Sequence, residues 1–163
     1  MKFGAQTLMV WLLFGAGSMQ ALADRSLEPP IIPAPASLEL TGGAFTVDEA
    51  TRIVVPDDPR VASIAHYFGE LLFRARAIRP AIVQAENRGA PKKVIQFTLQ
   101  QTPGTTDPES YRLEISGQGV LVSARDPRGL FYGATTLWQI LASDASGGNS
   151  VRIPALRIVD TPR

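Results

Sequence analysis

His66 and Glu70 stand four residues apart, a spacing that puts two side chains on one face of a helix, where an imidazole and a carboxylate can share a metal ion or pass a proton. Two ligands do not hold a metal, and the chain contains 1 histidine in all, so the second imidazole of a helical zinc site is missing. The favoured reading is an ordinary solvated or capping histidine rather than a ligand. Asp107 and Glu109 form a second pattern, a carboxylate pair of the kind that divides general-acid from general-base work. They flank Pro108 beside a Thr- and Gly-rich stretch, with no apolar wall near them in sequence to raise one pKa above the other, which favours turn and strand-start roles. Tyr132 and Trp138 are aromatics that could stack on a sugar ring. Leu130, Ala134, Leu137 and Leu141 run beside them as an apolar helical stripe, which favours packing in the core or against a partner domain. Gly129 and Gly133, four apart, suit the close approach of a neighbouring backbone. Gly42-Gly43 and Gly147-Gly148 read as turns and not as a phosphate-binding loop. No residue is thereby assigned to catalysis, to a cofactor or to a metal.

The elements that would position these residues follow from periodicity. Tyr111, Leu113 and Ile115 alternate with polar neighbours, and Val120, Val122 and Ala124 continue the alternation beyond Gly117-Gln118-Gly119, which predicts a hairpin. Asp126-Pro127 then supplies a helix start: the carboxylate can accept from free backbone N–H groups, and a proline costs nothing in the first turn. The helix is expected to run to about Leu141. Asp57-Asp58-Pro59 repeats that chemistry. After it Val61, Ile64, Ala65, Phe68, Leu71, Leu72 and Ala75 recur at helical spacing, ending before Pro80. Earlier, Leu38, Leu40, Phe45 and Val47 flank Gly42-Gly43 as an expected opening hairpin, and Ile53 to Val55 predict a short strand. A polar loop containing proline and lysine then leads to the next strand. Ile95, Phe97 and Leu99 predict a strand, as does Val151 to Val159, which Pro154 should place at a sheet edge or bend. The class expected is α+β: a mainly antiparallel sheet with two helices packed on one face, since hairpin-length links favour antiparallel pairing.

The 163 residues allow one ordinary domain behind an N-terminal segment. Lys2, the apolar run Leu8 to Ala16 and Ala21-Leu22-Ala23 fit a signal peptide cleaved before Asp24, with residues 1–23 removed. An uncleaved membrane anchor is the rival reading, but the apolar run falls short of the roughly 20 residues that a span requires. Loss of Lys2 leaves 15 Lys plus Arg against 15 Asp plus Glu. A neutral domain gives no reason to expect nucleic acid or an anionic membrane as partner. With no cysteine there is no disulfide, thiolate metal site, thiol nucleophile or lipidated anchor, and a periplasmic or secreted domain is expected. Residues 24–36, with four prolines from Glu28 to Pro35, form an extended lead-in.

Ile32-Pro33-x-Pro35, Gly42-Gly43-x-Phe45, Glu109-Ser110-Tyr111, and Gly129-Leu130-Phe131-Tyr132-Gly133 with Thr136-Leu137 and Gln139 together resemble the N-terminal domain of family 20 glycoside hydrolases, the exo-acting β-N-acetylhexosaminidases. The resemblance covers nearly all of residues 31–163. It implies an α+β domain over 37–160, ahead of a (β/α)₈ barrel expected in cis, with 161–163 as the start of the junction. It also implies substrate-assisted hydrolysis of terminal N-acetylglucosamine or N-acetylgalactosamine by an Asp-Glu pair in His-x-Gly-Gly-Asp-Glu. That motif does not occur in these 163 residues, so no catalytic residue is carried over, and the chain alone is expected to be inactive. No cofactor is implied. The alternative from a different class is a free-standing exported module that binds sugar or protein without catalysis.

Overall fold

The structure, a computed structural model, describes residues 28–85, 93–100, 107–144 and 148–162. The expected export segment and Gly147 lie outside the described residues. Among the described residues seven strands and two helices follow in the order β1 (Ser37–Asp48), β2 (Arg52–Val55), α1 (Pro59–Arg76), β3 (Ala81–Gln84), β4 (Val94–Leu99), β5 (Tyr111–Ser116), β6 (Gly119–Ala124), α2 (Pro127–Ser143) and β7 (Ser150–Asp160). They build one sheet in the order β1-β7-β5-β6-β4-β2-β3. The pairings from β1 through β7 and β5 to β6 are antiparallel, and those from β6 through β4 and β2 to β3 are parallel. The α+β class stands. The parallel portion arises because β2 returns to β3 through α1, and a helical crossover brings the chain back in the same direction.

Period-2 burial explains the strands. Tyr111, Leu113 and Ile115 of β5 and Val120, Val122 and Ala124 of β6 are all buried, and so are Ile95 and Phe97 of β4. Against them α1 presents Val61, Ile64, Ala65, Phe68 and Leu72, and α2 presents Leu130, Ala134, Leu137, Ile140 and Leu141, in one continuous core. Phe68 meets Phe97 edge to face, with ring centroids 5.5 Å apart. Each such side chain, fully buried, contributes about 1.5–3 kcal/mol relative to exposure. The outer face carries polar ladders instead, in which Arg157 lies 3.5 Å from both Glu39 and Glu114 across neighbouring strands.

Three expectations are corrected. Gly42-Gly43 does not turn a hairpin: β1 is one strand paired with β7 throughout, and the two glycines, at φ 78 and 93, sit in a register shift between Leu40 and Ala44. Positive φ without a side chain is what the extra residues of a bulge require, and a turn signal in sequence does not separate the two uses. Of the edge position or bend expected at Pro154, the edge position is overturned, since β7 lies between β1 and β5. Pro154 is tolerated because its β1 partner, Ala44, stands at that same irregularity, and pairing with β5 begins only at Leu156. The stretch expected to be a loop after Pro80 contains β3, a four-residue edge strand.

Candidate functional site

Both helices begin with the same triplet, Asp58-Pro59-Arg60 and Asp126-Pro127-Arg128. Each aspartate accepts the backbone N–H two residues on, at 2.8 Å from Arg60 and 3.0 Å from Arg128, and each arginine side chain folds back onto its own cap. The hydrogen bonds from Arg60, side chain first and then backbone, lower the Asp58 carboxyl to about 2. Arg128 lowers Asp126 in the same way. The helices lie side by side in the same sense, for the far end is also shared: Arg76, in the last turn of α1, donates to the Leu141, Ala142 and Asp144 carbonyls that end α2.

An open groove of about 520 Å³ lies between the two N-terminal turns. Ile64, Pro127, Phe131 and Tyr132 form its apolar wall, and Arg60, Ser63, Glu109 and Arg128 its polar rim. Just beyond it Tyr67 of α1 stacks on Phe131 of α2, with centroids 5.5 Å apart, and Phe131 meets Tyr132 edge-on. Tyr67, Phe131 and Tyr132 remain 49%, 40% and 37% exposed.

This arrangement can hold an apolar group and frame it with charge; it has no prepared proton transfer. The Ser63 hydroxyl donates to the Pro59 carbonyl at 2.8 Å, and the two arginines are paired with their caps. Asp107 accepts the Glu109 backbone N–H at 2.8 Å, the turn role expected of it, while Glu109 reaches the groove rim. His66 and Glu70 border the same shallow depression, but the Glu70 carboxylate is engaged by Arg79 at 3.2 Å, and Arg79 stands 3.9 Å over the Phe73 ring. Among the described residues no group of three or more His, Cys, Asp or Glu is placed to hold a metal ion. Nor is any described helix long and apolar enough to cross a membrane.

Tyr132 and Trp138 part company. Tyr132 faces the groove, whereas Trp138 packs against the core with its indole N–H buried and without a hydrogen-bond partner among the described residues. Gly129 and Gly133 do mark close approach, to the Ser110 carbonyl and to the Val122 and Tyr111 side chains. Sequence reasoning did not single out Tyr67, and it named Phe131 within the family motif without assigning it to a site. Their only signal was an aromatic on the flank of each apolar stripe, and which helix they would meet depends on the parallel pairing.

A buried polar node closes the same end of the domain. Asp160, the last residue of β7, is 9% exposed; one carboxylate oxygen accepts the Ala36 N–H at 2.8 Å and the other the Tyr111 hydroxyl at 3.3 Å. The Tyr111 hydroxyl also lies 2.7 Å from that of Thr136 on α2. Burial, more than any neighbour, pushes the Tyr111 phenol above its ordinary range.

The fold and this end of it define a two-layer α+β domain with a buried sheet face, a polar outer sheet face and a helix pair that is aromatic on its outside. The profile of "Glycosyl hydrolase family 20, domain 2" matches residues 28–161, and the chain belongs to that family. It is a domain of a glycoside hydrolase. Over 134 residues it is 35% identical to the "Beta-N-acetylhexosaminidase" of Cellulomonas fimi, covering 82% of this chain and 26% of that protein. The structure of the GH20 β-N-acetylhexosaminidase from Streptomyces coelicolor A3(2) superposes with a TM-score of 0.68 at 32% identity, covering 83% of this chain and 28% of that one. The Streptomyces plicatus N-acetyl-β-hexosaminidase in complex with Thio-NAglucal gives 0.65 at 30% identity, over 84% and 28%. The chain thus spans little more than a quarter of the length of each of these relatives.

Proposed function

We propose that this chain is the non-catalytic domain of an exported exo-β-N-acetylhexosaminidase and that its task is to support a catalytic barrel docked on the helix pair. The parent enzyme hydrolyses terminal N-acetylglucosamine or N-acetylgalactosamine by substrate-assisted catalysis. The carrying observation is the exposed aromatic cluster of Tyr67, Phe131 and Tyr132 on α1 and α2. Contiguous exposed apolar surface of this kind marks an interaction site, and here it sits on the layer that would otherwise face water. Residues 1–23 support export, and with that segment removed the product is free in the periplasm or the medium.

The test compares residues 24–163 alone with the product of the reading frame continued past the codon for Arg163. Alone, the domain leaves 4-nitrophenyl N-acetyl-β-glucosaminide intact; the longer product cleaves it and loses thermal stability when Tyr67, Phe131 and Tyr132 are changed together to serine. Hydrolysis by the domain alone sinks the non-catalytic role. A longer product whose stability ignores the triple substitution sinks the docking face.

A further inference from the structure

The β1–β7 ladder ends at Ser37 and Val159, so the next amide, that of Ala36, has no backbone partner within the ladder. The Asp160 carboxylate takes it, and its second oxygen takes the hydroxyl of Tyr111, which reaches on to Thr136 of α2. Two further contacts draw the same parts together. Gln139 of α2 accepts the Ile32 N–H at 2.8 Å and donates to the Ile32 carbonyl at 3.1 Å. The Ser110 and Thr161 hydroxyls lie 2.8 Å apart. The lead-in and the chain leaving β7 are therefore fastened to one another, to β5 and to α2 at one place.

We infer that Asp160 is a positioning residue, a clasp that fixes the direction of the chain beyond β7 by tying it to the lead-in and to α2. A carboxylate suits the role because it accepts at both oxygens and so joins a backbone amide on one side to a phenol on the other. Its burial excludes the water that would compete for both donors. The inference rests on the proposed function only for what the exit orients, namely the barrel relative to this domain.

The chain has no cysteine, so spin labels can be placed at Ala34→Cys and Pro162→Cys without competing thiols, and at Arg74→Cys and Thr98→Cys as a reference pair. In the 163-residue chain the 34–162 distance distribution should be narrow. Asp160→Ala broadens it and speeds exchange of the Ala36 amide about tenfold, the factor carried by one lost hydrogen bond. The 74–98 distribution stays unchanged. Asp160→Asn, whose amide can still accept from Ala36 and donate to Tyr111, restores most of the narrowness, and Tyr111→Phe falls between. A 34–162 distribution indifferent to Asp160→Ala overturns the clasp, as does one indifferent to Tyr111→Phe if the alanine variant does not fold. Equal broadening of both label pairs also overturns it, by showing a general loss of structure. None of these outcomes bears on the hydrolysis test, so the two proposals fail separately.

Discussion

Gly129 of α2 lies so close to Ser110 at the start of β5 that a Cβ on Gly129 would stand 2.2 Å from the Ser110 carbonyl oxygen. The approach also lets the Gly129 N–H, one of the free donors of the first helical turn, reach the Pro108 carbonyl at 3.0 Å. Backbone cannot rotate away as a side chain can, so Gly129→Ala must push the helix off the sheet. We expect it to cost about 3 kcal/mol, more than the about 1 kcal/mol that alanine gains over glycine in a helix, and to show as a lower urea midpoint. Gly133→Ala meets Val122 at 2.7 Å and the Tyr111 ring at 3.1 Å, both side chains with some freedom, and should cost less.

Arg76→Ala should destabilise the domain by about 1–3 kcal/mol, because the last carbonyls of α2 lose their donors and no basic residue in that turn can replace them. Arg76→Lys should recover only part, since one ammonium cannot reproduce the fork onto several carbonyls. Denaturant titration of the three proteins checks the order.

Acid should weaken both helix starts. Asp58, held at about 2, and Asp126, also lowered, are charged in the folded state at pH values where the unfolded chain already takes up protons. Their contribution is present above the ordinary carboxylate range and is lost as pH falls through the folded values. The melting temperature should therefore fall from about pH 4 toward pH 2, and Asp58→Asn together with Asp126→Asn should flatten that fall. An unaltered profile in the double variant would exclude the caps as its source.

Alkali acts on Tyr111. Its phenol, raised above 10.0 by burial, stays protonated in the folded state while the unfolded chain ionises. The stabilisation is complete below pH 10 and is lost as pH rises from there toward the folded value. Tyr111→Phe should be less stable at neutral pH but lose less between pH 9 and 11, which a pH series of thermal melts reads directly.

Much of this fold was legible because burial imposed a period. The β5–β6 hairpin and both helices, including their Asp-Pro starts, lie where alternation and capping chemistry put them. What escaped was set by pairing rather than by local pattern. Gly42-Gly43 serves a bulge as well as a turn, and β3, at four residues, is too short to show a period. β7 lies inside the sheet because the irregularity beside Pro154 is supplied by another strand. At the candidate site Tyr132 was legible as a helix aromatic, while the stacking of Tyr67 on Phe131 depends on the mutual direction of α1 and α2. Asp160, expected only as the last residue of the domain, gains its role through Ala36 and Tyr111, 124 and 49 residues away in sequence.

Two helices that start at the same end of a sheet align their peptide dipoles, so their positive ends, and equally their negative ends, stand together and repel. In this domain the Asp58 and Asp126 carboxylates, each with its own arginine beside it, accept from the N–H groups of the amino ends, and Arg76 sets a positive charge at the carboxyl end of the neighbouring helix. Some of the ionised groups of a chain whose formal net charge is only +1 are thereby occupied in offsetting a field that the fold itself creates.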